Sequence, residues 1–160
     1  MSKINLKKSH IKTPYHCGDL TIKIAETLDE FRDAKWVRIK VFQQEQGISA
    51  RINFDGRDGE SAHIIAYLNA MPVGTTRVRK LDNGAVKIER MAVLKVFRQR
   101  GIGAQIIKYA LDFIKDQRIK VVRLSSQEQV QKFYEQFGFK TMGDVFDEAK
   151  IRHIMMEKIL

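Results

Sequence analysis

The stretch Glu89-Arg90-Met91-Ala92-Val93-Leu94-Lys95-Val96-Phe97-Arg98-Gln99-Arg100-Gly101-Ile102-Gly103 decides the fold. Its first part is strand-like. A short basic turn follows, and two closely spaced glycines open a helical pattern. Ile102, Ile106, Ile107, Ala110, Leu111 and Ile114 fall on one helical face, with Lys108, Asp112 and Lys115 opposite. The first amides of such a helix have no intrahelical partner. Gly101 and Gly103 carry no side chain to keep a ligand from those amides. The helix dipole adds partial positive charge, and Arg98 and Arg100 add full charges. A pyrophosphate would satisfy all of these together. A dinucleotide fingerprint would need a third glycine at Ile106 and an acid near Arg123. A Walker-type loop would need Gly-Lys-Ser or Gly-Lys-Thr, which is absent.

Working outward, Leu20 to Ala25 alternates as a strand. Thr27 with Glu30 is a capping box, so a helix is predicted from Leu28 to about Gln46, stopped by Gly47. A polar loop follows over 48–61. Strands are predicted over 62–68, 72–81 and 85–94, joined by Asn69-Ala70 and by Asp82-Asn83-Gly84. Beyond the glycine turn and its helix, 120–125 reads as a buried strand. Ser126 with Gln129 suggests a second capping box and a helix to Phe137, ended by Gly138. Closing strands are expected over 139–142 and 151–159. The expected fold class is α+β: a three-layer sandwich with a mixed, mostly antiparallel sheet between helices. Residues 1–19 read as an arm and 20–160 as a single domain.

The chain has 160 residues, enough for one domain with a sizeable core. At 44% hydrophobic and 30% charged it reads as globular, and its apolar runs are too short to span a membrane. Residues 1–12 hold no apolar stretch suited to a secretory leader. The lone Cys17 rules out an internal disulfide framework and fits a reducing, cytoplasmic setting. Adjacent His16 and Cys17 make poor chelating geometry, so no metal is expected. Net charge is +10 and is divided evenly, +5 on each side of residue 80 (14 cations less 9 anions, then 15 less 10). From Arg90 to Leu111 five cations occur with no carboxylate after Glu89; by itself such a stretch reads as a solvated basic face, and its closely spaced glycines point instead to an anion site.

The pattern Arg98-x-x-Gly101-x-Gly103 after a strand resembles the acetyl-CoA signature of the GNAT superfamily of N-acetyltransferases. The later block Leu124-Ser125-Ser126-Gln127 and Phe133-Tyr134-Glu135-Gln136-Phe137-Gly138-Phe139 is also of the family type. Val41-Phe42 with Glu45-Gln46, His63-Ile64, Pro72-Val73-Gly74 and His153-Ile154-Met155-Met156 look like the small bacterial YjcF/ElaA-type branch. The likeness covers roughly residues 20–158. It implies an acetyl-CoA-dependent transfer of acetyl to a primary amine, on a small molecule or a peptide. It implies a cofactor site at Met91, Ala92, Val93, Arg98, Gln99, Arg100, Gly101, Ile102, Gly103, Ala104, Gln127 and Phe133. The main chain around Ala92 and Val93 would meet the pantetheine arm; Gln127 either reaches it from a helix start or is a simple capping-region glutamine.

In such a reaction an amine attacks the thioester directly. An amine with a pKa near ~10.4 is protonated at pH 7, and recovering the neutral form costs about 4–5 kcal/mol. Glu89 is the candidate base, acting through a water and expected to share a strand face with Met91 and Val93. The role requires a pKa raised by burial; the competing reading is an ion pair with an arginine. Tyr134 is the candidate acid for the departing thiolate. It also fits a core stripe with Val130, Phe133 and Phe137. A phenol near ~10 is a weaker acid than a thiol near ~8.5, so a hydrogen bond to sulfur is an alternative to full transfer. His63 and His153 are candidate acceptor contacts, and Glu45, Asp55 and Asp58 could draw a cation to the acceptor side. Two other functions stay open. One is a CoA-binding sensor without transfer. The other, a nucleic-acid binder, is suggested by a pI of about 9.8 but lacks a recognition helix. Oligomeric state is open, with a dimer among the options.

Overall fold

The computed structural model describes residues 13–160. Its eight strands are β1 (Tyr15–Cys17), β2 (Leu20–Ile24), β3 (Ala62–Leu68), β4 (Met71–Lys80), β5 (Val86–Val93), β6 (Val121–Gln127), β7 (Lys140–Glu148) and β8 (Ile151–Ile159). They form one sheet in the order β1-β2-β3-β4-β5-β6-β8-β7. Only β5 and β6 pair in parallel, across the helical connection, and every other neighbouring pair is antiparallel. The α-helices are α1 (Leu28–Arg38), α2 (Ala50–Asn53), α3 (Ile102–Asp116) and α4 (Gln131–Glu135). The expected sandwich of helices about a mostly antiparallel sheet is what the chain forms.

Each layer follows from the sequence pattern. The apolar stripe of α3 packs Ile102, Ile106, Ile107, Ala110 and Ile114 against Val73, Val78, Val86, Ile88, Val122 and Leu124. Each fully buried branched side chain there contributes on the order of 1.5–3 kcal/mol. The opposite face carries a smaller core, in which Ala34, Val37 and Val41 cover Ile65, Ala92 and Leu94. The capping box at Thr27 forms: Thr27 Oγ1 accepts from the Glu30 amide at 3.2 Å, and Glu30 accepts from the Thr27 amide at 3.1 Å.

The structure differs from the sequence reading at several elements. The first helix is α-helical only to Arg38 and continues as a π-helix over Ile39–Glu45, before Gly47 at φ +68° ends it. The loop over 48–61 contains α2, capped by the Ser49 hydroxyl on the Ile52 amide, and a 3-10 turn over Asp58–Glu60. No capping box forms at Ser126. That residue lies inside β6, and its hydroxyl donates to the Gln127 carbonyl. Only Gln131–Glu135 is α-helical, after a 3-10 turn over Glu128–Val130. β7 runs on to Glu148, bent where its register shifts between Met142 and Phe146. Within the expected arm, 1–12 lie outside the described residues, while Tyr15–Cys17 pair with β2 as an edge strand.

Two features of β5 position the site. First, β5 registers with β6 only over Val86–Ile88, opposite Val122–Leu124; beyond that the parallel pair splays. Second, Thr75 pairs with Ala92 but Arg77 pairs with Glu89, so Arg90 and Met91 together oppose Thr76. This is a β-bulge, with Arg90 at φ +56° and Thr76 Oγ1 donating to the Glu89 carbonyl at 3.1 Å. The extra residue changes which side chains share a face. Glu89 lies with Arg77 on the α1 face, whereas Met91 and Val93 pack toward α3. The expectation that Glu89 alternates with Met91 and Val93 on one face is therefore corrected: the bulge breaks the two-residue period between them.

Candidate functional site

The splay between β5 and β6 opens a cleft of about 940 Å³. Glu89, Met91, Ala92, Val93, Arg98, Gln99, Gly101, Ile102, Gly103, Ala104, Gln127, Phe133 and Tyr134 all line it. Of the residues singled out from sequence as catalytic or cofactor-binding, Arg100 alone is not on its wall. The Arg100 guanidinium sits over the Phe97 ring, 5.4 Å from its centroid.

At one end of the cleft α3 begins. Gly101 precedes it at φ +76°, and no side chain caps its first amides. Nothing lies within 4 Å of where a Gly101 Cβ would project. A Cβ at Gly103 would sit 3.4 Å from Met91 Cε and 3.5 Å from Phe133 Cζ, in ordinary contact with the side chains that wall this end of the cleft. This is a cradle of main-chain donors with room for an anion. Arg98 departs from the expected pair of free guanidiniums. It donates to both Glu45 oxygens at 2.6 and 2.7 Å and from Nε to the Val93 carbonyl at 2.9 Å. Those hydrogen bonds hold the Glu45 carboxyl below its usual range, so Glu45 is paired rather than available to a cationic acceptor.

Glu89 also departs from expectation. Arg77 donates to it from Nε at 3.1 Å and from Nη2 at 2.6 Å, and Arg79 from Nε at 3.1 Å and from Nη2 at 2.9 Å. Burial alone would raise this carboxyl, but bonds and charge from Arg79 and Arg77 outweigh it and hold the group below the ordinary carboxylate range. The raised pKa required of a base near neutrality is not met; the ion-pair reading is.

Arg77 is fully buried and extends this network. It donates to Asp55 at 2.8 Å and to Asp58 at 2.9 Å, while Arg38 donates to Asp58 at 2.8 Å and to the Asn53 side chain and carbonyl. Arg90, from the bulge, donates to the carbonyls of Ile52 (2.8 Å) and Asn53 (3.1 Å). The arginines thus fasten α2 over one side of the cleft. Asp55 lines the cleft but is committed to Arg77 and Arg90, and Asp58 lies off its wall. Of these arginines, the sequence singles out only Arg90, as one of the cations of an anion site, but it is committed to the Ile52 and Asn53 carbonyls and to Asp55. Arg38, Arg77 and Arg79 were not picked out. Arg77 and Arg79 sit in a strand whose alternation does not distinguish a buried cation from a solvated one.

Tyr134 is buried, packed edge-on to Phe133 at 5.0 Å, and burial pushes its phenol up from the ordinary value. Its hydroxyl makes no hydrogen bond with the described residues. Val130 leaves the expected core stripe and is exposed. Gln127 ends β6 rather than starting a helix, and its amide reaches Gln46 Oε1 at 3.1 Å across the cleft mouth. His153 also lines the cleft. Its Nδ1 lies 2.7 Å from the Ile151 carbonyl, which can only accept, so Nδ1 carries the proton and Nε2 is left with its lone pair in the neutral ring. Glu148 Oε2 is 3.8 Å from that Nε2. His63 is buried away from the cleft, with Nε2 3.0 Å from the Asp58 carbonyl; burial holds its pKa down to about 4.

The chain thus forms a mixed sheet splayed beside a glycine-headed helix, and comparison with known proteins gives the family. The acetyltransferase (GNAT) domain family matches residues 27–160. The uncharacterized N-acetyltransferase YjcF of Bacillus subtilis (strain 168) is 35% identical over 136 residues, covering 84% of this chain and 96% of that protein. The crystal structure of Escherichia coli ElaA superposes with a TM-score of 0.78 at 26% identity, covering 87% of this chain and 99% of ElaA. A GNAT acetyltransferase of Elizabethkingia anophelis, solved with acetyl-CoA bound, shares the fold at a TM-score of 0.68 and 16% identity, covering 90% of this chain and 100% of its own. The chain belongs to the GNAT acetyltransferase family.

Proposed function

We propose that the protein is an acetyl-CoA-dependent N-acetyltransferase acting on a primary amine. The observation that carries this reading is the run of uncapped amides at Gly101–Ala104, opening onto the splay between β5 and β6. A diphosphate would lie against those amides. The main chain of Met91, Ala92 and Val93, freed from β6, would receive the pantetheine arm, with Phe133 and Gln127 on the other side. Arg98 would release Glu45, or share its guanidinium between Glu45 and the phosphate.

Bound acetyl-CoA supplies the activated acetyl group as a thioester. The amine nitrogen forms the new C–N bond as the C–S bond breaks. Tyr134 donates a hydrogen bond to the departing sulfur. Since burial makes its phenol a still weaker acid, it stabilises the thiolate without surrendering its proton. The amine must lose a proton. Glu89 is ill suited to take it, because guanidinium donors already surround its oxygens; its task is to hold Arg77 and Arg79 beside the bulge. His153, with an Nε2 lone pair on the cleft wall, receives it instead.

Thermal unfolding with and without acetyl-CoA tests the reading. At a hundredfold excess over the dissociation constant, binding adds ~2.7 kcal/mol. That raises the midpoint by about 2–4 °C or more for a chain of this size. Gly101→Glu, which puts a carboxylate into the cradle, should abolish the shift. No shift at millimolar acetyl-CoA, or an unchanged shift in the variant, would sink the proposal.

A further inference from the structure

Registered residues on neighbouring strands point to the same side of a sheet. Arg79 registers with Lys87, Lys87 with Arg123, and Arg123 with Glu157. Val122 and Leu124, flanking Arg123, are buried against the α3 side, so this row stands on the opposite face, the one that carries Glu89. Three cations therefore lie side by side across β4, β5 and β6. Like charges directly opposite in a sheet repel unless anions answer them. The anions in direct contact with the row are Glu89 and Glu157, with Asp55 acting on Arg79 at longer range. Glu157 accepts from Arg123 Nε at 2.8 Å, and Glu89 is divided between Arg77 and Arg79. Lys87 is left with a 3.8 Å approach to Glu89 and no hydrogen bond, although its side chain is only 20% exposed. Among the described residues, no acceptor sits on Arg79 Nη1. Both Arg79 and Lys87 line the cleft, whereas Arg123, already paired with Glu157, lies off its wall.

We propose that Arg79 and Lys87, the two cations of this row on the cleft wall, form an acceptor subsite for a carboxylate, so that the amine substrate also carries an acid group. The inference rests on the acetyl-transfer reading above. Lys87 lies two residues before Glu89 and four before Met91, on the strand segment that flanks the splayed part of the cleft. At about 3.3 Å per residue, the acid lies about 7–13 Å from the attacking nitrogen. That spacing suits a flexible ω-amino acid or the side-chain amine of a peptide with a nearby carboxylate, and is too long for an α-amino acid presenting its own α-amine.

The test uses ω-amino acids of five to ten carbons and their primary amides, titrated calorimetrically into the CoA-loaded protein and assayed for acetylation. The acids should bind at least about tenfold more tightly than the matched amides. The preference should peak at an intermediate chain length and weaken with added salt. In Lys87→Gln the preference should collapse while amide acetylation and the acetyl-CoA melting shift stay unchanged. Equal binding of acids and amides, a preference that survives in Lys87→Gln, or binding of neither series would overturn the subsite. Acetylation of amides without that preference leaves the acetyl-transfer reading standing, whereas loss of the acetyl-CoA shift in the wild type overturns that reading instead. Free peptides ending in a carboxylate, tested beside the amino acids, separate the two sources of the acid.

Discussion

At the scale of single residues, Tyr134 and His153 carry distinct expectations. Tyr134→Phe removes one oxygen from a packed ring. It should lower turnover by at least about tenfold, in line with the loss of a positioned hydrogen bond to developing negative charge, and leave the acetyl-CoA melting shift nearly intact. Steady-state kinetics beside thermal shifts check this; unchanged turnover would reduce Tyr134 to packing. His153→Gln should lower kcat/KM and steepen its rise with pH, because the amine must then arrive already neutral. A parallel pH profile in the variant would remove His153 from the reaction. The candidate thiolate partner was legible in the sequence because Phe133-Tyr134 lies in a block that resembles the family. Glu89 was legible as a candidate but not in its state. Its partners Arg77 and Arg79 are twelve and ten positions earlier in the chain, and only strand pairing brings them to it.

At the scale of elements, the glycine turn and α3 could be read directly, since an unbroken apolar stripe and two glycines leave few alternatives. The packing of that helix depends on a glycine elsewhere. A Cβ at Gly74, on β4, would lie 2.7 Å from Ile106 Cδ1 and 3.3 Å from the Ala92 carbonyl. Gly74→Ala should therefore destabilise the fold by about 1–3 kcal/mol, as overpacking does. Denaturant unfolding measures it, and a neutral outcome would mean that α3 can shift away from the sheet without loss. The elements that escaped the sequence reading are those held by tertiary contacts. The four residues of α2 are too few for periodicity to register, and Arg38 and Arg90 fasten them. Ser126 and Gln129 have the spacing of a capping box, but pairing of β6 with β8 through Gln127 and His153 keeps Ser126 extended. Strand addition outweighed a local signal worth about 1 kcal/mol.

At the scale of the whole molecule, the arginine–carboxylate network makes stability depend on pH. Burial holds His63 down at about 4, against ~6.5 for an unfolded chain. As pH falls below ~6.5 the unfolded chain takes up this proton first, so stability drops until about pH 4 and is flat on this account above ~6.5. The loss approaches roughly 3 kcal/mol, at about 1.4 kcal/mol per pH unit. Asp58 and Glu89, held below the usual carboxylate range despite burial, extend the loss further into acid. Urea unfolding between pH 4.5 and 7.5 should show this slope, and His63→Gln should flatten it. An equal slope in the variant would assign the acid sensitivity elsewhere.

The single inserted position at Arg90 also bears on how such a protein can change over time. It hands adjacent stretches of one strand to opposite faces of the sheet, Glu89 to the α1 face and Met91 with Val93 to the α3 face, which on the proposed function are the amine's side and the thioester's. Exchanges of amino acid on the first side need not disturb the second. Descendants of this chain could thus drift toward new acceptors while the machinery for the shared acetyl donor stays as it is.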